Sequence, residues 1–352
     1  MKRAELVRGA RRIVVKIGSS SLAGEGAVAR LAADVAALAR EGRAVVLVSS
    51  GAIALGYKKL GYKSRPKEMA KLQASAAAGQ SLLMHAYENA FGKERLAVAQ
   101  VLLTHADLAD RTRANNARDA LAALLDARAI PVLNENDSVA VDEIKFGDND
   151  QLAALVVPLV DADLLVLLSD VQGVLDARGQ RVETVADASE AAALVRPSKK
   201  GGLGTGGMAS KIEAARRATL AGANVVIADA RDENVLRRVA AGEDVGTLFV
   251  RSEMRLSARR YWIAFTLRPR GDVVLDAGAV RAVRRDNKSV LAVGVLGVRG
   301  DFRAGDAVRV LAPEGDEIGR GLVRVAAEDA LRLAGTKSDS NVLVHRDELV
   351  VW

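Results

Sequence analysis

The chain has 352 residues, half of them hydrophobic, which is enough for two domains with sizeable cores. It contains no cysteine, which excludes disulfides, thiolate metal sites and cysteine nucleophiles, and its apolar stretches are too short to cross a bilayer. The net charge of +7 comes from one region, since residues 196–270 contain 15 basic and 7 acidic side chains while residues 271–352 contain 12 and 13. An anionic ligand bound near residues 196–270 is therefore a more economical explanation than nucleic acid. Because the basic N-terminus lacks the apolar region of a signal peptide, we expect a cytoplasmic protein.

Up to about residue 250, short apolar runs alternate with alanine-rich stretches. This alternation predicts an α/β fold with an open, mainly parallel sheet and helices on both faces, where ligands bind beyond the carboxyl ends of the strands. The predicted strands are Arg11–Ile17, Ala44–Val48, Leu96–Leu102, Ile130–Leu133, Leu164–Leu168, Val225–Ala228 and Gly246–Val250. The predicted helices are Ala27–Arg40, Lys67–Ala90, Arg111–Arg128, Gln151–Leu159 and Ala209–Ala221.

The arginine-rich segment Arg251–Arg270 breaks the alternation and predicts a domain boundary. We therefore expect a first domain at residues 1–255, a linker at 256–270 and a second domain at 271–352. Short β-like runs punctuated by glycine predict that the second domain is a small, partly closed β-barrel. Its predicted elements are the strands Asp272–Leu275, Ser289–Val295, Ala307–Val310, Ile318–Val325 and Glu348–Trp352 and the helix Ala327–Leu333.

The glycine-rich run Gly201–Gly207 leads directly into a predicted helix that carries Lys211 in its first turn. Glycine lets a backbone approach a bulky anion, a helix N-terminus presents unpaired N–H donors, and lysine adds a point charge. The pattern indicates a site for a nucleoside triphosphate. The spacing of these glycines also matches the dinucleotide-binding fingerprint, but that motif requires a strand before the glycines. The segment Arg196–Lys200 predicts a loop there instead. A flexible surface loop is the alternative.

Two further strand ends carry polar residues that suit an anion. Lys16 ends the first strand and would contact a phosphate, or else reach water from an edge position. Ser50 follows the second strand within Ser49–Gly51, where free N–H groups would suit a carboxylate on a small substrate. An ordinary serine helix cap explains the same pattern.

The densest polar cluster follows the strand at Ile130–Leu133. Four carboxylates lie within sixteen residues, and they would repel a phosphate unless some of them bind an ammonium group, a lysine or Mg²⁺. They are Glu135, Asp137, Asp148 and Asp150. An amino-acid substrate would supply the ammonium, whereas a solvated turn that caps a helix is the alternative. A weaker signal is Ser169–Asp170, which would meet a ribose or base, or simply shape a turn.

Taken in order, these motifs resemble the glutamate 5-kinases of the amino acid kinase superfamily, and the tail resembles a PUA domain. The motifs that carry the resemblance are Val14–Gly18, Ser49–Ala54, Arg111–Arg113 with Asn116–Arg118, Asn134–Asp137, Gly147–Asp150, Gly204–Met208 and, in the tail, Val344–Asp347.

The resemblance implies ATP-dependent phosphorylation of the side-chain carboxylate of L-glutamate, with ATP and Mg²⁺ as cofactors. It assigns phosphate stabilisation to Lys16 and Lys211, and the positioning of lysines and metal to Asp148 and Asp150. Glutamate would be held by Ser50, Asp137 and Asn149. The nucleotide would be held by Lys16, Ser169, Asp170, Thr205, Gly206, Gly207, Met208, Ala209, Ser210 and Lys211. The resemblance also implies feedback inhibition by proline and assembly into a homo-oligomer.

Two other functions remain open at this point. Another kinase of the superfamily would act on a different acceptor, such as N-acetylglutamate, which lacks the free ammonium that Asp137 would bind. A PUA-like tail could instead make the chain an RNA-binding protein. The neutral-to-acidic charge of residues 271–352 argues against this, because phosphate contacts depend on clustered Lys and Arg.

Overall fold

The computed structural model describes residues 2–139, 149–188, 190–191, 207–336 and 341–352. The chain divides into two compact units, Met1–Arg255 and Leu256–Trp352. Residues 256–270, where the sequence predicts a linker, are grouped with the second unit. There they form a short helix and a π-helical turn, at Ala258–Tyr261 and Trp262–Thr266. No helix in the described part of the chain combines the length and the hydropathy that a membrane span requires.

The first unit is built on an eight-stranded sheet in the order β3-β4-β2-β1-β5-β7-β8-β6. All neighbouring strands run parallel except β7 and β8, so the predicted open and mainly parallel sheet is confirmed. The strands are β1 Arg12–Ile17, β2 Ala44–Ser49, β3 Val98–Leu103, β4 Ile130–Glu135, β5 Leu164–Ser169, β6 Thr184–Val185, β7 Asn224–Asp229 and β8 Thr247–Phe249. Five of the central strands are buried along nearly their whole length because helices cover them, which explains their continuous Val, Ile and Leu runs.

Helices lie on both faces of this sheet. On one face, Ile13 and Val15 of β1 share a buried cluster with Leu31 and Val35 of a covering helix. Side chains alternate along a strand, so Lys16 points to the opposite face. The described helices of the unit are Arg3–Val7, Ser19–Leu22, Ala27–Arg40, Ala52–Lys59, Met69–Lys93, His105–Ala109, Arg111–Asp126, Asn149–Leu159, Met208–Ala221 and Val235–Ala240. Below, Met69–Lys93 is called the long helix, Asn149–Leu159 the aspartate helix and Met208–Ala221 the lysine helix.

The long helix crosses the helix Ala52–Lys59 at a contact that only glycine permits. A Cβ atom on Gly56 would stand 1.7 Å from the carbonyl oxygen of Ser75, and one on Gly79 would stand 1.8 Å from the carbonyl oxygen of Ala52. Both distances are far inside van der Waals contact, so any side chain would push the helices apart. This close crossing brings the long helix against the loop that follows β2.

The second unit is a six-stranded sheet in the order β10-β14-β13-β12-β9-β11, antiparallel except for the pair β12–β9. Its strands are β9 Gly271–Leu275, β10 Val290–Leu291, β11 Val295–Gly300, β12 Ala307–Leu311, β13 Glu317–Val323 and β14 Val342–Val351. The sheet curls around its own apolar core, as the β-barrel prediction requires. Its described helices are Ala277–Asp286 and Ala327–Leu333, besides the short segment at its start and a 3-10 turn at Ala292–Gly294.

Three elements of the second unit differ from the sequence prediction. Strand β14 begins at Val342, six residues before the predicted Glu348, because the polar residues 345–348 interrupt its apolar pattern. The helix Ala277–Asp286 was missed, although Asp276 caps it by accepting a hydrogen bond from the Ala279 N–H at 2.7 Å. Only Val283 of this helix is buried, and Gly278 together with four charged side chains among its ten residues hides the short apolar side from a sequence reading. The predicted strand Ser289–Val295 is interrupted by the 3-10 turn, which divides it between β10 and β11.

Candidate active site

Lys16 and Lys211 meet at the two oxygens of one carboxylate. The Nζ atom of Lys16 lies 2.6 Å from Asp150 Oδ1, and that of Lys211 lies 3.0 Å from Asp150 Oδ2. Asp150 is fully buried, and each lysine is only 6 % exposed. Lys16 comes from the central strand β1, Asp150 from the first turn of the aspartate helix and Lys211 from the first turn of the lysine helix.

The carboxylate of this cluster is ionised. Burial raises the pKa of Asp150, but the nearby positive charges of Lys16 and Lys211 lower it by more, so the net effect is a lowered pKa and an ionised carboxylate. Among the residues that the structure describes, Lys16 and Lys211 thus bring two ammonium groups to one buried carboxylate. Ammonium groups gathered in this way make strong, charge-assisted hydrogen bonds to phosphate oxygens, so the cluster suits an anionic ligand.

The lysine helix begins at Met208, and its N-cap residue Gly207 has no side chain that could cap it. A helix N-terminus of this kind carries N–H donors and partial positive charge toward an anion. Gln151 fastens this terminus to the aspartate helix, because its Nε2 donates a hydrogen bond to the carbonyl oxygen of Ser210 at 3.1 Å. The residues predicted to bind nucleotide here are therefore placed together. Of that set, the described ones are Gly207, Met208, Ala209, Ser210 and Lys211.

A second group of polar residues surrounds Asn149, the residue before Asp150. Its Nδ2 lies within hydrogen-bond distance of Ser50 Oγ at 2.8 Å, Asn134 Oδ1 at 3.0 Å and the carbonyl oxygen of Ser49 at 3.2 Å, and these three acceptors share its two hydrogens. Ser50 and Asn149, both predicted to hold the substrate, are thus in direct contact. Since Asn149 and Asp150 are consecutive, this group adjoins the lysine cluster.

Two residues of the long helix support this group, and the sequence analysis missed both. Gln80 Oε1 accepts a hydrogen bond from Asn134 Nδ2 at 3.0 Å. Tyr87 OH lies 2.7 Å from Ser49 Oγ, in hydrogen-bond contact, and burial raises the pKa of this tyrosine so that its phenol stays neutral. Both lie in an alanine-rich helix whose sequence indicates only a packing role. Their contacts with the site depend on where that helix crosses the sheet. Asn134 belongs to the motif Asn134–Asp137, but the sequence predicts no role for its side chain.

The remaining predicted residues lie at other strand ends or outside the described residues. Ser169 ends β5, the neighbour of β1, and its Oγ donates to Asp170 Oδ1 at 3.2 Å. Arg231 braces this turn by donating to the carbonyl oxygen of Asp170 at 3.0 Å. Asp137 lies half-buried in the turn after β4. Asp148, Thr205 and Gly206 fall outside the described residues.

The residues that the structure describes contain no group of three or more His, Asp or Glu side chains that could hold a metal ion. Both oxygens of Asp150 are engaged by lysines. Asp148, which the sequence predicts to position the metal, lies outside the described residues.

Residues 11–229, well over half of the chain, match the family model described as the Amino acid kinase family. The chain belongs to the amino acid kinase family. Residues 271–344 of this family member match the PUA domain model, in agreement with the resemblance of the tail.

Curated relatives cover the chain almost from end to end. The glutamate 5-kinase of Methylibium petroleiphilum is 47 % identical over 99 % of this chain and 100 % of that protein. The glutamate 5-kinase of Bordetella petrii is 46 % identical over 98 % of this chain and 97 % of that protein. Among solved structures, the N-acetylglutamate synthase of Neisseria gonorrhoeae, complexed with coenzyme A and L-arginine, has a TM-score of 0.51 at 20 % identity, covering 71 % of this chain and 63 % of its own. At that identity the likeness is one of fold alone.

Proposed function

We propose that this chain transfers the terminal phosphoryl group of ATP to the γ-carboxylate of L-glutamate, giving γ-glutamyl phosphate, the first step of proline biosynthesis. The observation that carries the proposal is the convergence of Lys16 and Lys211 on Asp150. It stands beside near-complete matches to glutamate 5-kinases.

The chemistry asks for positioning and charge neutralisation rather than for a general base. The acceptor carboxylate has an unperturbed pKa of about 4.3 and is already ionised at neutral pH. In phosphoryl transfer the developing charge is spread over the oxygens of the transferred group. Lys16 and Lys211 would neutralise that charge from two sides, while Asp150 holds their ammonium groups in place.

ATP would lie along the carboxyl edge of the sheet at the lysine helix. The uncapped N-terminus of that helix suits its phosphates, and Ser169 with Asp170 would meet the nucleoside part. Mg²⁺ would be bound chiefly by the phosphates themselves. The parts assigned to Thr205, Gly206 and Asp148 stay predictions from the sequence.

Glutamate would lie beside Asn149 and Ser50, next to the lysine cluster. In this place its side-chain carboxylate would face Lys16 and Lys211, and its ammonium group would meet acceptor oxygens of Asn149 and Asp137. A kinase for an acetylated amino acid would need no acidic partner at this end. Replacing L-glutamate with N-acetyl-L-glutamate separates the two functions, since we expect ADP release with the first substrate only.

The decisive experiment measures ADP release from ATP with and without L-glutamate. We expect glutamate-dependent turnover that falls by several orders of magnitude in Lys211→Ala while the thermal melt is retained. Lys71→Ala is the matched control, because Lys71 lies on the surface of the long helix and forms an exposed pair with Glu68, at 2.8 Å. Glutamate-independent ADP release, or near-normal turnover of Lys211→Ala, would overturn the proposal.

Proline is proposed as a feedback inhibitor that competes at the glutamate site. It shares the α-carboxylate and an α-nitrogen cation with glutamate. Adding proline during steady-state turnover should raise the apparent KM for glutamate and leave kcat unchanged. An unchanged KM would refute competition.

We also propose that the chain forms a homo-oligomer through the edge of the first unit's sheet. Strand β3 lies at that edge, and its apolar residues Val98, Val101 and Leu102 are only half-buried. An exposed apolar edge strand is a ready surface for a second copy. Val101→Lys should lower the mass that light scattering measures after gel filtration, whereas an unchanged mass would place the contact elsewhere.

The cytoplasmic location stays a prediction from the sequence.

A further inference from the structure

A chain of four amide side chains runs from the proposed glutamate site to the edge of the sheet. Asn149 donates to Asn134, Asn134 donates to Gln80 at 3.0 Å, and Gln80 Nε2 donates to Gln100 Oε1 at 3.3 Å. Asn134, Asn149 and Gln80 are all buried, and Gln100 lies on the exposed side of β3.

Backbone groups fix the direction of this chain. The N–H of Glu135 can only donate, and it donates to Asn134 Oδ1 at 2.9 Å. The carbonyl oxygen of Ser49 can only accept, and it accepts from Asn149 Nδ2 at 3.2 Å. The amides of Asn134 and Asn149 therefore cannot be reversed without losing hydrogen bonds to the main chain.

In this orientation of its side-chain amide, the Oδ1 atom of Asn149 lacks a hydrogen bond within the described part of the chain. Its Nδ2 already has three acceptors, while its Oδ1 is buried and makes no hydrogen bond to any residue that the structure describes. A buried acceptor of this kind needs a donor. At neutral pH, glutamate has a single strong donor, its α-ammonium group, since both of its carboxylates only accept.

We propose that Gln80 is a positioning residue that makes the acceptor site selective for substrates with a free α-ammonium group. It accepts from Asn134 Nδ2 and so holds Asn134 where that residue orients Asn149. Without this acceptor, a buried donor of Asn134 is left unpaired, and the amides relax toward other partners. This inference rests on the proposed function, because it assumes that glutamate binds beside Asn149.

The helix that carries Gln80 is held rigidly at this point. Its neighbour Gly79 is in backbone contact with Ala52, and Tyr87 is hydrogen bonded to Ser49 two turns further on. Gln80 therefore cannot follow a displaced Asn134. Such rigidity is what a positioning residue needs, because small displacements of a binding group are costly.

The test compares Gln80→Met with Gln80→Glu, using L-glutamate as substrate and glutarate, which lacks only the α-ammonium group, as competing ligand. In Gln80→Met, which has similar volume but no acceptor, the KM for glutamate should rise about tenfold, the fold-change expected for one buried hydrogen bond. The inhibition constant of glutarate and kcat should stay within about twofold. Gln80→Glu keeps an acceptor toward Asn134 and should restore the KM to within about threefold of the original.

Gln100→Met is the matched control. It makes the same amide-to-thioether change one residue further along the chain of amides and leaves the acceptor for Asn134 in place, so its KM should be unchanged. A general packing defect would weaken glutamate and glutarate equally, and that result would overturn the inference. So would an unchanged KM in Gln80→Met, or an unrestored KM in a Gln80→Glu protein with a normal melting temperature. If the unaltered enzyme released no ADP with glutamate, the proposed function itself would fail, which is a distinct outcome.

Discussion

Lys16 of the first strand and Asp150 of the aspartate helix form a buried ion pair at 2.6 Å, and the same carboxylate holds Lys211. One anion therefore sets the separation of two cations. The arrangement depends on the charge of Asp150 as well as on its shape.

We expect Asp150→Asn to keep the shape and lose the charge that restrains both lysines. Misplacing groups that act on a transferred phosphate costs on the order of 100-fold in kcat. The variant also removes the carboxylate that pairs with both buried ammonium groups, for which a loss of about 3 kcal/mol in the free energy of unfolding is expected. Steady-state kinetics and urea unfolding measure the two effects. Asp119→Asn, a surface change on the helix Arg111–Asp126, is the control, and an Asp150→Asn enzyme with normal kcat would contradict the prediction.

A different aspartate should make the protein less stable as the pH rises. Burial raises the pKa of Asp34 above its usual 3.8, opposed by a hydrogen bond from the Leu236 N–H and by the charge of Arg237. Between the usual and the raised pKa the folded state binds more protons than the unfolded state, so the free energy of unfolding falls as pH increases through that window. Asp34→Asn keeps an acceptor for Leu236 but cannot titrate.

Urea unfolding of Asp34→Asn and of the unaltered protein, at several values from pH 4 to pH 7, measures this effect. The variant should gain stability relative to the unaltered protein as pH rises, and the difference should level off once Asp34 is ionised in both states. Parallel pH profiles would show that Asp34 has no raised pKa.

The crossing between the long helix and the helix Ala52–Lys59 should be destabilised by one added methyl group. We expect Gly79→Ala to lower the free energy of unfolding by about 3 kcal/mol or more, because its Cβ would stand 1.8 Å from the carbonyl oxygen of Ala52. The displaced helix would also disturb the contact between Tyr87 and Ser49 and raise the KM for glutamate. Gly92→Ala on the same helix is the control: nothing lies within 4 Å of its added Cβ, and it should stabilise by about 0.5 kcal/mol. Equal free energies of unfolding for the two variants would contradict the predicted close contact between the helices.

In the second unit, Arg309 forms a two-pronged ion pair with Asp272, with distances of 2.6 and 2.9 Å. Asp272 is only 6 % exposed, so Arg309→Met leaves a buried carboxylate without its partner. We expect a loss of about 1–3 kcal/mol in the stability of this unit. Both tryptophans, Trp262 and Trp352, belong to this unit, so their fluorescence during urea unfolding reports on it. Arg303→Met on the surface should leave the unfolding midpoint unchanged, and an equal midpoint for both variants would refute the prediction.

The predicted strands and helices of the first unit agree with the structure to within a few residues. The helix Ala27–Arg40 and the tail helix Ala327–Leu333 have the predicted bounds. These elements are local: a buried strand needs a run of branched apolar residues, and a helix needs its periodicity and caps, all of which lie within one segment. The helix Ala277–Asp286 escaped prediction because it is short, contains Gly278 and carries four charged side chains among its ten residues.

The residues of the candidate site also fall into those that the local sequence predicts and those that it does not. Lys16, Ser50, Asn149, Asp150 and Lys211 were all predicted, since each stands at the end of a strand or the start of a helix, where polar residues next to apolar runs are conspicuous. Gln80 and Tyr87 were not, because their neighbours in sequence are ordinary helix residues and their partners belong to other elements.

By itself, the amino-acid sequence determined the order of strands and helices and which lysines, carboxylates and amides stand at the sheet's carboxyl edge. Only the tertiary structure decided that Lys16 and Lys211 share Asp150 and that the long helix supplies Gln80 to Asn134. The reason is physical: hydrogen bonding and periodicity act between near neighbours, whereas contacts between elements depend on how closely they pack, here through the absence of a side chain at Gly56 and Gly79.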